Sequence, residues 1–179
     1  MALRNILPES DSTLNKKSRE ITEFGSRLHI LLDDMRETLI VANGLGLAAP
    51  QVGVLRRAAL VVDTGVDSED INDQIIELVN PVIINSSGEQ NGTEGCLSVP
   101  GVYGIVTRPN SVEVRAKDRY GNDFTYSGEE LLARALCHEV DHLDGLLFTK
   151  IAERFLTEEE LEEMRNKREA GENETGENE

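Results

Sequence analysis

Tryptophan is absent from this 179-residue chain, and aromatic residues make up only 4% of it. It has two cysteines, Cys96 and Cys137, and three histidines, His29, His138 and His142. Two cysteines are too few for a disulfide scaffold, so the core has to come from aliphatic packing. No apolar run approaches the roughly 18 residues of a membrane span. The opening segment MALRNILPESDST has no long apolar stretch before a small-residue cleavage site, so no signal peptide is expected. A cytoplasmic protein without membrane contact is the expectation. Basic residues are scarce as well: 18 Lys and Arg stand against 34 Asp and Glu, a formal net charge of −16. Neutralising phosphates takes clustered Lys and Arg, so neither direct nucleic-acid binding nor docking on anionic lipid is expected.

Hydrophobic residues reach 39%, enough for one core in a chain of this length. No repeat or linker divides the chain. Residues 1–168 read as a single domain. From Glu153 to Glu179 there are 11 acidic and 4 basic residues, and the end, AGENETGENE, offers almost nothing to bury. Residues 169–179 therefore read as an acidic, disordered tail.

Leu28, Leu31, Leu32, Met35 and Leu39 recur at helical spacing, which predicts a helix over Ser26 to Asn43, ended by Gly44 in a positive-φ conformation. β-branched segments predict strands at Ala58 to Val62, Ile75 to Ile84, Gly104 to Thr107, Ser111 to Ala116 and Asp123 to Tyr126. Gly121-Asn122 reads as a hairpin turn, and Pro81 as an edge or a bulge. A Ser127/Glu130 capping box predicts a second helix to about Leu143. Thr157 and Glu160 predict a third, from Glu158 to about Arg168. Clustered strands flanked by helices indicate an α+β fold: mostly antiparallel strands around a central helix, with an additional C-terminal helix.

That central helix contains HEVDH, His138 to His142. Two histidines at i and i+4 share one helical face and can share one ion, with Glu139 beside them. A catalytic site needs a third protein ligand and an open position. Cys96, inside the turn-rich EGCLSVPG (Glu94 to Gly101), is a candidate. It reads equally well as a small buried hydrophobe. Cys137 points about 100° away from His138 and reads as packed. His29 reads as an ordinary helix-face histidine. The loop GLGLAAPQ, Gly44 to Gln51, lacks the lysine of a phosphate-binding loop. Its glycines permit close backbone approach, and the Gln51 amide can donate to a developing oxyanion.

Taken together, GLGLAAPQ, EGCLS (Glu94 to Ser98) and HEVDHLDG (His138 to Gly145) resemble, in order, the three motifs of the peptide deformylases. The resemblance spans roughly Ile6 to Phe155. It implies a metal-dependent hydrolase that removes the N-formyl group from the initiator methionine of newly made polypeptides and releases formate. At matching positions it implies Cys96, His138 and His142 as metal ligands and Glu139 as the acid/base. Gln51 and the Leu97 backbone amide would polarise the formyl oxygen, and Gly46 would lie along the substrate. It implies one divalent ion per chain, Fe²⁺ in the cell, replaceable by Zn²⁺, Ni²⁺ or Co²⁺. Glu94 and Arg108 match positions that form a supporting ion pair. The implied partners are N-formylmethionyl nascent peptides, met transiently at the ribosome. The acidic C-terminal segment stands where some relatives carry a basic ribosome-contacting helix, and Cys137 stands where Gln is more usual. Other classes that HExxH or a metal site alone would allow are a metalloendopeptidase and a non-catalytic metal-dependent peptide binder.

Leu131, Ala135, His138 and His142 fall on one helical stripe, so the metal is expected at one end of an apolar strip. A side chain next to the scissile bond would lie against Leu131 and Ala135, with Leu45 from the glycine loop. That pocket suits a long, unbranched, flexible side chain.

Overall fold

Residues 2–175 are described by a computed structural model, with side chains through Lys167. In chain order the elements are α1 (Ser26–Ala42), β1 (Gly46–Ala48), β2 (Ala58–Val62), the short α2 (Ile71–Gln74), β3 (Ile75–Ser87), β4 (Gln90–Cys96), β5 (Val99–Arg108), β6 (Ser111–Lys117), β7 (Asp123–Glu129), α3 (Glu130–Leu143), β8 (Arg154–Phe155) and α4 (Glu158–Thr175). Every pairing between these strands is antiparallel. Five form one sheet in the order β1-β2-β3-β6-β7, and three form a second in the order β4-β5-β8.

β2 shows how the layers are built. All five of its residues are buried, because the sheet is covered on both faces. Leu60 and Val62 join the α1 face, packing with Leu28, Leu32, Met35 and Leu39. Val61, one residue out of phase, joins Leu78, Val112 and Val114 beneath Ala133, Leu136 and Cys137 of α3. The apolar stripes of α1 and α3 thus sandwich one sheet, and each fully buried leucine contributes roughly 2 kcal/mol. The α+β reading holds, with α3 central: it packs against β1, β2, β3, β6 and β7.

Local expectations needed correction where pairing or packing overrides pattern. Asn43, not Gly44, takes the left-handed cap of α1 (φ 51°), and its N–H returns to Leu39 and Ile40 carbonyls. Gly44 serves a different end: a Cβ there would lie 2.8 Å from Leu97 Cδ1. The Ser127/Glu130 capping box is not formed. All of 123–129 pairs with β6, so the sheet holds Ser127, and α3 starts only at Glu130. Glu130 makes the strand-to-helix turn at φ 50°, donating its N–H to Asn110 O (2.8 Å). At the third helix the reciprocal cap is present, Thr157 N to Glu160 Oε2 at 2.8 Å and Glu160 N to Thr157 Oγ1 at 3.3 Å. Pro81 sits at a register shift of β3, a bulge as expected. α4 runs to Thr175, past the residue-168 boundary drawn from composition, since helical hydrogen bonds are local and do not require burial. Residues 176–179, the end of the expected tail, lie outside the described residues. No described helix is long and apolar enough to cross a membrane.

Candidate metal centre

His138 and His142 project from one face of α3 toward the β4–β5 hairpin. Cys96 is the last residue of β4, where the register slips between Gly95 and Cys96 and turns the thiol inward. Cys96 Sγ and His142 Nε2 are 3.2 Å apart, and His142 Nε2 and His138 Nε2 are also 3.2 Å apart. All three ligand atoms lie within 4.8 Å of one another. Glu94 Oε2 sits 3.0 Å from His138 Nδ1. The proton belongs on Nδ1, which donates to the carboxylate and leaves the Nε2 lone pair facing the cluster. Three converging donors of the S,N,N type fit a borderline-soft divalent cation such as Zn²⁺ or Fe²⁺. A second sign is nearby: buried Glu139 Oε2 has no hydrogen-bond partner. A buried carboxylate oxygen without a protein partner indicates a ligand or water to be supplied.

Behind His138 lies a buried ion network. Glu94 accepts from Arg108 Nε (2.7 Å) and Nη2 (3.0 Å), and from Arg134 Nη1 (3.0 Å). Arg108 Nη1 donates to Asp141 Oδ2 at 2.6 Å, and Arg134 Nη1 also reaches Val106 O at 2.9 Å. Burial alone would raise the Glu94 pKa. Hydrogen bonds from His138 and Arg108 and the Arg108 charge outweigh it and hold the group at about 2. The unfolded chain, with an ordinary value near 4.5, therefore binds more protons than the folded one between these limits. Stability due to Glu94 is present above pH 4.5 and is lost as pH falls toward 2. The loss is on the order of 3 kcal/mol. Urea denaturation at successive pH values should show this fall, and Glu94→Gln should flatten it while lowering stability at pH 7. An equal slope in the variant would remove Glu94 from this role.

Glu139 faces the cavity beside Gly46, where a Cβ would overlap its carboxylate. Burial pushes the Glu139 carboxyl up to about 7, with help from the nearby carboxylates of Glu94 and Asp141. A carboxyl balanced near neutrality suits a group that both takes and gives a proton. Gln51, 1% exposed, lies in the 3₁₀ turn Ala49–Val52. Its Oε1 accepts from Ala48 N (2.8 Å), which aims Nε2 at Cys96 Sγ (3.4 Å) and Ser98 Oγ (3.2 Å).

One cavity of about 570 Å³ is lined by Leu45, Gly46, Gln51, Cys96, Leu97, Leu131, Ala135, His138 and Glu139. His142 lies deeper, buried at the cluster itself. Leu45 and Leu131 stand at the rim, 43% and 48% exposed. Cys137 packs in the α3 core, where burial pushes its thiol up to about 11, and both cysteines are free. His29 bonds to Arg119 O (2.9 Å), away from the site. Sequence reasoning missed Arg134. Its place one turn before His138 on the same stripe was the available signal.

The family model for polypeptide deformylase matches residues 3–156. The chain belongs to this family. It is 52% identical over 167 residues to a peptide deformylase of Caldicellulosiruptor bescii, covering 93% of this chain and 96% of that one. It is 50% identical over 169 residues to one from Acetivibrio thermocellus, covering 94% and 95%. Among solved structures, the peptide deformylase of Legionella pneumophila superposes with a TM-score of 0.78 at 38% identity, over 99% of this chain and 100% of that one. The chain is thus a metal-dependent hydrolase with deformylase activity. The endopeptidase and non-catalytic readings are not favoured. Cys96, His138 and His142 are the residues among those described that can hold its ion.

Proposed function

We propose that this deformylase hydrolyses the N-formyl amide of the initiator methionine on nascent chains, met transiently at the ribosome in the cytoplasm, with Fe²⁺ as the resident ion and residues 1–168 as the catalytic unit. The observation that carries the reading is the convergence of Cys96, His138 and His142 on one point beside a cavity that Cys96, His138 and Glu139 line, with Glu139 Oε2 buried and unpartnered. A divalent cation held by this set would supply Lewis acidity and a water acidified toward neutral pKa. The protein's own steps follow from its residues. Glu139 accepts a proton from the attacking water and returns it to the leaving amine. The Gln51 Nε2 and the Leu97 amide donate hydrogen bonds to the oxyanion that develops on the formyl oxygen. The Gly46 backbone, on the exposed edge of β1, takes the peptide by strand-like hydrogen bonds that read no side chain. The thiolate ligand favours a redox-active iron and makes the site oxidation-sensitive.

Formate release from formyl-Met peptides under anaerobic conditions, with metal content measured on the same sample, tests the reading. No formate from a sample carrying one Fe²⁺ per chain would overturn it. The same assay tests the side-chain pocket. Against Leu131, Ala135 and Leu45, methionine buries about three more heavy atoms than alanine. That supplies roughly 2–3 kcal/mol, or about 30- to 200-fold in kcat/KM for formyl-Met over formyl-Ala peptides. Equal rates would remove these three residues from the pocket. Ala135→Trp should penalise formyl-Met selectively with metal content intact.

A further inference from the structure

The two proposed oxyanion donors sit on separate loops, Gln51 on the 3₁₀ turn after β1 and the Leu97 amide in the turn between β4 and β5. β1 belongs to the five-stranded sheet and β4 and β5 to the three-stranded one, so no strand ladder joins the loops. Both donors must nevertheless meet one formyl oxygen, and a misplacement of about 1 Å can cost about 100-fold in rate.

Residues 6–10, outside the three sequence motifs, bridge the gap. The Leu7 N–H donates to Gln51 O at 2.8 Å, and the Glu9 N–H donates to Ser98 O at 2.9 Å. Ser98, next to Leu97, is buried, and its Oγ accepts from Gln51 Nε2 at 3.2 Å. The hydrogen bonds close a ring that runs from Leu7 to Gln51, to Ser98, to Glu9, and back along the chain.

The sequence accounts for this bridge. Pro8 biases Leu7 toward extended backbone and has its own φ fixed. In an extended segment the N–H groups of residues i and i+2 share one side, so Leu7 and Glu9 both face the loops. The residue between them is the one that has no N–H to leave unpaired. Two residues reach at most about 7 Å, which makes a short strut. Glu9 lies at the second position of a turn that the Asp11 N–H closes on Pro8 O at 2.9 Å. Its carboxylate accepts from Thr149 Oγ1 at 2.6 Å. The segment is anchored on either side, by Arg4 Nη2 on buried Asp34 at 2.9 Å and by the Ser18 N–H on Leu143 O at 2.8 Å.

We propose that Leu7 and Glu9 are positioning residues for the hydrolysis. Their backbone N–H groups set the spacing of the Gln51 and Ser98 carbonyls, and through them the aim of the two oxyanion donors. The inference rests on the reading of Gln51 and the Leu97 amide as those donors. Neither Leu7 nor Glu9 lines the cavity, so their effect reaches the reaction only through the loops they hold.

The test removes one strut bond. Glu9→Pro deletes the N–H, and proline is favoured at the second position of a turn. Glu9→Ala keeps the N–H, loses the Thr149 bond and serves as the reference. Turnover of formyl-Met-Ala by the metal-loaded proteins is measured per bound ion. Relative to Glu9→Ala, Glu9→Pro should lower kcat about tenfold, with KM little changed and the metal retained. In a Gln51→Ala background the same exchange should cost clearly less, because one of the donors it aims is gone. Equal kcat for Glu9→Pro and Glu9→Ala overturns the proposal. So does the same fold-loss in both backgrounds. A glycine inserted between Pro8 and Glu9 turns the second N–H to the opposite side and should reproduce the loss without proline. If this variant and Glu9→Pro both lose the metal or the fold, residues 6–10 are structural only and the proposal is overturned. The underlying reading fails differently: Gln51→Ala alone then turns over as fast as the wild type, and the proposal falls with it.

Discussion

Replacing Cys96 by alanine is expected to remove the metal and the activity together. His138 and His142 would remain as two neutral nitrogen donors, and two neutral donors hold a divalent ion weakly. Loss of an outer-shell partner alone typically costs 10- to 100-fold in metal affinity. Loss of a first-sphere anionic ligand should exceed that, so affinity should fall more than about 100-fold. The fold should survive, because Cys96 terminates β4 and is only half-buried, while the α3 core below it is untouched. Metal analysis after dialysis, with circular dichroism on the same sample, decides the matter. One tightly bound ion per folded Cys96→Ala chain would show that the thiolate is not a ligand.

The two histidines and Glu139 were legible because they sit within five residues of one helix, where spacing alone dictates a shared face. Cys96 was not legible in this way. It lies 42 residues before His138, and only the β4–β5 hairpin, with its slipped register, carries it to 3.2 Å from His142. Residues alone left it open between ligand and buried hydrophobe, and the order of the three motifs decided for the ligand. β4 itself was invisible: QNGTEGC has two glycines and no β-branched residue except Thr93, and it is a strand because β5 pairs with it along its whole length. The start of α3 was misread because a local cap competed with seven ladder partners on β6 and lost. Arg134 escaped for another reason. It looks like an ordinary helix residue until the fold sets it against Glu94.

Glu139→Gln should retain the metal and lose turnover, separating this residue from the three proposed ligands. Glu139 is not part of the Cys96, His138, His142 group, so metal content should stay near one per chain. The amide matches the carboxylate in size, which matters where Gly46 leaves no room for even a methyl group. Packing is therefore preserved and only the proton chemistry is removed. A positioned acid/base group contributes typically 10²- to 10⁴-fold, so kcat should fall by at least about 100-fold. In the proposed role, the burial that raises the Glu139 carboxyl to about 7 would let it take a proton at one stage and return it at the next. With Gln51 and Leu97 in their proposed roles, the oxyanion would still be held, which should leave a measurable residual rate rather than none. Near-normal turnover by a fully metallated Glu139→Gln enzyme would rule out proton transfer by this group. Combined with the Cys96 variant, the pair separates two kinds of inactivity. One comes from an ion that cannot be held, the other from an ion held in place with no group to move the proton.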